Sequence, residues 1–146
     1  MRKSLTIAAL AFCSATATLA QMTPVGTWHT TDEKTKELKS EVQITEAGGV
    51  LTGKVTKLLR KEAKQDAVCD ECTDDRKGKP MLGLEIIRGA KKADGKDVWE
   101  GGNILDPENG KVYSAKMSLA EDGKKLNVRG FLGISLLGRT QTWVRE

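Results

Sequence analysis

Between Tyr113 and Leu119 the side chains alternate without a break: Tyr113, Ala115, Met117 and Leu119 share one parity, and Ser114, Lys116 and Ser118 the other. That period of two is the mark of a β-strand with one dry and one wet face. Turn sequences bracket it, Asp106-Pro107-Glu108-Asn109-Gly110 before and Ala120-Glu121-Asp122-Gly123 after. In them Pro presets φ, Asp and Asn bond their own backbone, and Gly takes the left-handed position of a hairpin. Further back, Leu38, Val42 and Ile44 alternate with Lys39, Glu41 and Gln43, and Leu51 and Val55 with Thr52, Lys54 and Thr56, across an Ala47-Gly48-Gly49 turn. Val25 to Thr30 is a short first strand in which Gly26 leaves room for another group beside the Trp28 indole.

Met81 to Ile87 is apolar on nearly both parities and reads as the most buried strand. After the Asp94-Gly95 turn, Val98 to Leu105 is interrupted at Gly101-Gly102, as at a bulge. The pattern predicts strands at 25–30, 37–46, 50–59, 81–88, 97–105, 111–119, 124–131 and 139–145. Eight runs joined by short turns, with no helical period between them, favour an all-β, antiparallel up-and-down sheet. Such a sheet can close into an eight-stranded barrel whose interior is plugged by side chains or holds one small ligand. Two stretches break the pattern. Residues 60–79 form a long charged segment without periodicity, which a compact domain rarely tolerates without a reason. Gly130 to Gly138 is glycine-punctuated and apolar where a polar hairpin loop is expected; it is either a greasy lip at the barrel mouth or a buried strand with kinks.

The first twenty residues change the picture of charge and location. Arg2 and Lys3, the apolar run Leu5 to Phe12 and the small residues before Gln21 have the form of a cleaved secretory signal, so residues 1–20 are expected to be a leader and 21–146 a single domain. Phe12 is too bulky for the processing that would lipidate Cys13. The apolar core of the leader is too short to span a bilayer, and the mature protein is expected to be extracytoplasmic, periplasmic or secreted. Loss of Arg2 and Lys3 halves the formal charge of +4 to about +2. The remaining charges are interspersed, which favours neither a nucleic-acid partner nor a polybasic membrane anchor; runs such as Arg60-Lys61-Glu62 read as solvated loop.

Candidate chemistry is sparse. In an oxidising compartment Cys69 and Cys72 most simply form a disulfide, worth roughly 2 kcal/mol by the chain-entropy relation. A redox role is disfavoured because Asp70, Glu71, Asp74 and Asp75 would raise the thiol pKa, and one cysteine pair is only half of a zinc ligand set. His29 is the only histidine and lies in no metal-hydrolase spacing, so neither a metal nor a cofactor is expected. Glu100 and Asp106 could form an acid–base pair, but a turn-initiating Asp106 and a strand-surface Glu100 explain them as well.

The segments Gly26-Thr27-Trp28, Lys79-Pro80-Met81-Leu82-Gly83, Trp99 to Pro107, Gly110 to Tyr113, Val128 to Gly133 and Gly138 to Trp143 together resemble a lipocalin-like family of secreted bacterial proteins defined only as a domain of unknown function. Cys69-x-x-Cys72 is similar to a subset of that family. The resemblance implies a calycin-type barrel outside the cytoplasm and brings no agreed activity. It also implies structural roles for Trp28, as the plug of the closed end, and for Arg145, as the cation covering its indole. The leading expectation is a barrel that holds a small apolar or amphipathic ligand without catalysis, lined by Leu84, Ile86, Tyr113, Met117 and Phe131. The alternatives are a filled barrel acting as an envelope interaction or structural module through residues 130–138, and an enzyme of unknown type using Glu100 or Asp106.

Overall fold

The computed structural model describes residues 22–146 together with Ala9 and Ala11. The expected leader, Cys13 included, therefore lies outside the described residues but for those two alanines. Eight strands follow one another: β1 Gly26–Thr31, β2 Leu38–Ala47, β3 Val50–Leu58, β4 Glu85–Lys92, β5 Trp99–Asp106, β6 Lys111–Ala120, β7 Lys125–Phe131 and β8 Arg139–Arg145. Each pairs antiparallel with the next, and β1 returns to β8 through Trp28 opposite Arg145 and His29 opposite Val144, so the sheet closes into a barrel. A short 3-10 turn, Ser135–Leu137, lies between β7 and β8. Among the described residues no helix is long and apolar enough to cross a membrane.

The alternation works as a sorting rule. Trp28, Val42, Ile44, Leu51, Met117 and Leu126 are almost wholly buried in one apolar cluster, while their neighbours along each strand face outward. Two expectations need correction. β4 begins at Glu85, not at residue 81, because Gly83 at φ 86° turns the chain and residues 81–84 are held by other backbone: Met81 N donates to Ala67 O and Gly83 N to Val55 O. Their apolar character serves packing under a loop instead of a strand face. Leu38, expected on the dry face of β2, is 48 % exposed, because the pairing slips between Thr30 and Thr31 and again between Glu41 and Val42. The interruption at Gly101-Gly102 is a bulge: the β5–β6 register shifts between Trp99 and Gly102, and a Cβ on Gly102 would collide with the backbone of Arg88 and Ala90.

Up-and-down connectivity assigns each loop to an end. The connections at 48–49, 93–98 and 121–124 lie with the start of β1 at one end, and those at 32–37, 59–84, 107–110 and 132–138 at the other. The first end is sealed. The Trp28 indole is fully buried, its Nε1 donates to Pro24 O at 2.8 Å, and the Arg145 guanidinium stacks over it at 4.2 Å. Arg145 also donates to the carbonyls of Gly123, Val25 and Thr23, tying β8 to the β6–β7 turn and to the segment before β1.

Candidate functional site

The other end is open. Three of its four connections, 59–84, 107–110 and 132–138, line a cavity of about 410 Å3, within the range of small-molecule sites. Strands supply the apolar walls: Val55, Ile86, Leu105, Val128 and Trp143 are buried residues on the lining. Ala63, Ala67 and Met81 come from the long 59–84 connection, which roofs one side. Leu132 and Leu137 reach the cavity from the lip, where Leu132, Ile134, Leu136 and Leu137 are all exposed. That exposure divides residues 130–138: Gly130 and Phe131 end β7, and residues 132–138 form a lip instead of continuing a buried strand.

The rim is charged and its charges are paired across loops. Arg60 donates to Asp32 Oδ2 and to Glu108 Oε1, each at 3.0 Å, and Lys39 Nζ lies 3.1 Å from the same Glu108 oxygen. Arg60 is thus a brace between three connections and not the solvated loop residue expected. The Asp32 carboxyl is pulled down to about 2, foremost by the Thr35 and Lys34 amides that cap onto it and further by Arg60. Glu33 is lowered chiefly by its hydrogen bond from Arg139, with Gln141 adding a second. Lys64 adds another cation to the lining.

The roof is held in place from outside the barrel. Cys69 and Cys72 form a disulfide with Cα atoms 5.5 Å apart, and both are buried. Arg76, only 2 % exposed, donates through Nε and Nη2 to Asp74 and through Nη1 to Glu85 O at the start of β4. Arg88 on β4 grips Asp75 with two 2.9 Å bonds. Gly110 in the β5–β6 turn sits so close beneath the roof that a Cβ there would overlap the Glu71 carbonyl.

Of the five residues expected to line a cavity, Ile86, Tyr113 and Phe131 do so. Leu84 and Met117 do not. Leu84 precedes β4 and is buried where its backbone carbonyl meets Val55 N; Met117 lies nearer the sealed end, between Trp99 and Val128 in the pairing, with no exposure. Sequence reasoning missed Val128 and Trp143, although both sit on the dry parity of their strands, and missed the roof residues, for which no local signal exists. Asp106 lies on the lining and caps its turn by accepting from Glu108 N at 2.9 Å, whereas Glu100 lies off it, exposed beside Lys116. His29 stands on the outer wall, against Glu41 at 3.3 Å and Glu146 at 3.4 Å.

Residues 26–145 match the sequence profile of the family described as "Uncharacterized protein conserved in bacteria (DUF2147)". The chain belongs to this family. The DUF2147 barrel is similar in structure to protein HP1028 of Helicobacter pylori, described as belonging to the lipocalin family, with a TM-score of 0.70 over 84 % of this chain and 82 % of that one. At 18 % identity the likeness to HP1028 is one of fold. No curated protein matches the chain. For this DUF2147 member the lipocalin-like barrel, closed at the Trp28 end and open beneath the Cys69–Cys72 roof, is therefore the frame on which a function has to be argued.

Proposed function

We propose that the chain acts outside the cytoplasm as a lipocalin-like carrier that binds one small amphipathic molecule without transforming it. The observation that carries the reading is the cavity of about 410 Å3 with apolar walls and a charged rim. An apolar body in contact with Val55, Val128 and Trp143 would gain about 25 cal/mol per Å2 removed from water. Its polar end would stay at the rim among Lys39, Arg60, Lys64 and Arg139. The apolar lip beside the opening suits the entry of such a molecule, and the space inside argues against a filled barrel that works by its surface alone. The disulfide supports an oxidising compartment. Organic extraction of the purified protein, followed by mass spectrometry, is expected to release a stoichiometric small molecule. Emptied protein is then expected to take up one anilinonaphthalene sulfonate, an apolar ring system with an anionic end, with quenching of tryptophan fluorescence through Trp143. A chain that yields no molecule and takes up no probe is not a carrier.

A further inference from the structure

His29, Glu41 and Glu146 are far apart in sequence and meet on the outer wall where the barrel closes. His29 and Glu41 are direct partners across β1 and β2. Glu146 N donates to Thr27 O at 3.0 Å, continuing the β8 pairing one residue further and setting the Glu146 side chain on the face that Thr27 and His29 share. The imidazole therefore has one carboxylate on each side, its Nε2 being 3.3 Å from Glu41 Oε1 and 3.4 Å from Glu146 Oε2.

We propose that His29 Nε2, Glu41 and Glu146 form a binding site for a divalent first-row transition cation, with Zn2+ as the best fit. A tetrahedral zinc with bonds of about 2.0–2.1 Å has its ligand atoms about 3.3–3.4 Å apart. The two nitrogen–oxygen separations match that edge, and one ligand atom from each of the three residues falls within 4.8 Å of the others. Three protein ligands leave the fourth position to water or to an exogenous group. The donor set of one imidazole and two carboxylates lacks the six to eight oxygens that Ca2+ requires, roughly speaking, and the octahedron of Mg2+.

The surroundings suit a ligand set better than a surface ion pair. Glu41 is only 6 % exposed, although it is a carboxylate with a second carboxylate beside it, an arrangement that favours a cation between them. Thr56 Oγ1 donates to Glu41 Oε2 at 2.8 Å and also reaches Glu41 O at 3.3 Å, which leaves Oε1 to face His29. Such an outer hydrogen bond orients a first ligand. Lys57 Nζ, 3.5 Å from Glu41 Oε1, is the competing cation; its side chain is 61 % exposed and free to swing out. A metal here would fasten β1, β2 and the end of β8 together, and would act on stability without touching the cavity.

The test uses the full untagged chain, stripped with a chelator and titrated with Co2+. One equivalent is expected to bind with the intense visible bands of tetrahedral cobalt, to be displaced by Zn2+ but not by Ca2+ or Mg2+, and Zn2+ is expected to raise the melting temperature because it binds only the folded barrel. His29→Gln and Glu146→Gln are expected to lose the bands while melting like the metal-free parent, and Thr56→Val to weaken binding about 10- to 100-fold. No stoichiometric cobalt on the parent chain, or bands that persist in both ligand variants, would overturn the site. Glu146 is half exposed, so its variant reports on the ligand set without disturbing the core.

Discussion

Trp28 owes its place to three neighbours. Its indole nitrogen is satisfied by Pro24 O, its face by the Arg145 guanidinium 4.2 Å away, and Gly26 beside it makes the stack possible. A Cβ on Gly26 would stand 2.5 Å from Arg145 Nη1, and the residue is at φ 142°, so both space and backbone demand glycine. The guanidinium–indole contact is worth about 0.5–2 kcal/mol, less than the burial of the ring itself. Trp28→Ala is therefore expected to cost about 3–5 kcal/mol, a large fraction of a domain's stability. Thermal unfolding followed by circular dichroism measures it, and a melting temperature equal to the parent's would refute the plug. Room for a close neighbour beside the ring was legible in Gly26-x-Trp28, while the plug role and its cover by Arg145 were implied by the family resemblance. The partners of His29 were not: Glu41 is twelve residues away, and Glu146 joins only when β8 lies against β1.

At the scale of elements, strands and connections obey different physics. A strand with one dry face declares itself by alternation, which is why β6 is where Tyr113, Ala115, Met117 and Leu119 put it. The 59–84 connection is ordered by contacts that alternation cannot encode. Arg76 is buried because Asp74 and the Glu85 carbonyl satisfy it, and Arg88 reaches back from β4 to Asp75. The Asp74 carboxyl is lowered to about 2, first by the hydrogen bonds from the Arg76 side chain and next by the Arg76 amide. A carboxyl whose folded pKa is depressed stabilises the fold above its ordinary value near 3.8 and loses that contribution as pH falls toward 2. Asp74→Asn is accordingly expected to melt below the parent at neutral pH, with the gap constant down to about pH 4 and closing between there and about pH 2. Melts across that range measure it; a gap that is the same at both ends would mean that the ionised pair does not anchor the roof.

The whole molecule is a barrel with two unlike ends. One is stapled by Trp28 and Arg145; the other is ringed by loops that bond to one another through Arg60, Asp32 and Glu108. The cavity is what remains when strands long enough to close the sheet carry their large side chains, Trp28, Met117 and Leu126 among them, toward the sealed half. Filling the open half tests the consequence. Val128 lines the cavity at 3 % exposure, so Val128→Phe would place a ring in the space a ligand needs. Uptake of the probe is expected to fall about tenfold or more, equivalent to about 1.4 kcal/mol, and the overpacking cost is about 1–3 kcal/mol. Titration with the probe and a melt of the same variant separate the two effects. Undiminished uptake by a folded variant would move the binding site elsewhere.

By itself the sequence determined the class of fold, the number of strands and the face each presents, because those follow from side-chain period and turn chemistry between near neighbours. The cysteine pair followed instead from the oxidising compartment that the leader implied, and the Trp28 plug from the resemblance to the lipocalin-like family. Only the tertiary structure decided that β4 starts at Glu85, that residues 59–84 form a roof, that Leu84 and Met117 stand away from the cavity wall, and that His29 sits between two carboxylates. Each of those depends on which distant backbone or charge a residue meets once the sheet has curled and closed, a relation between strands that no single stretch of chain contains.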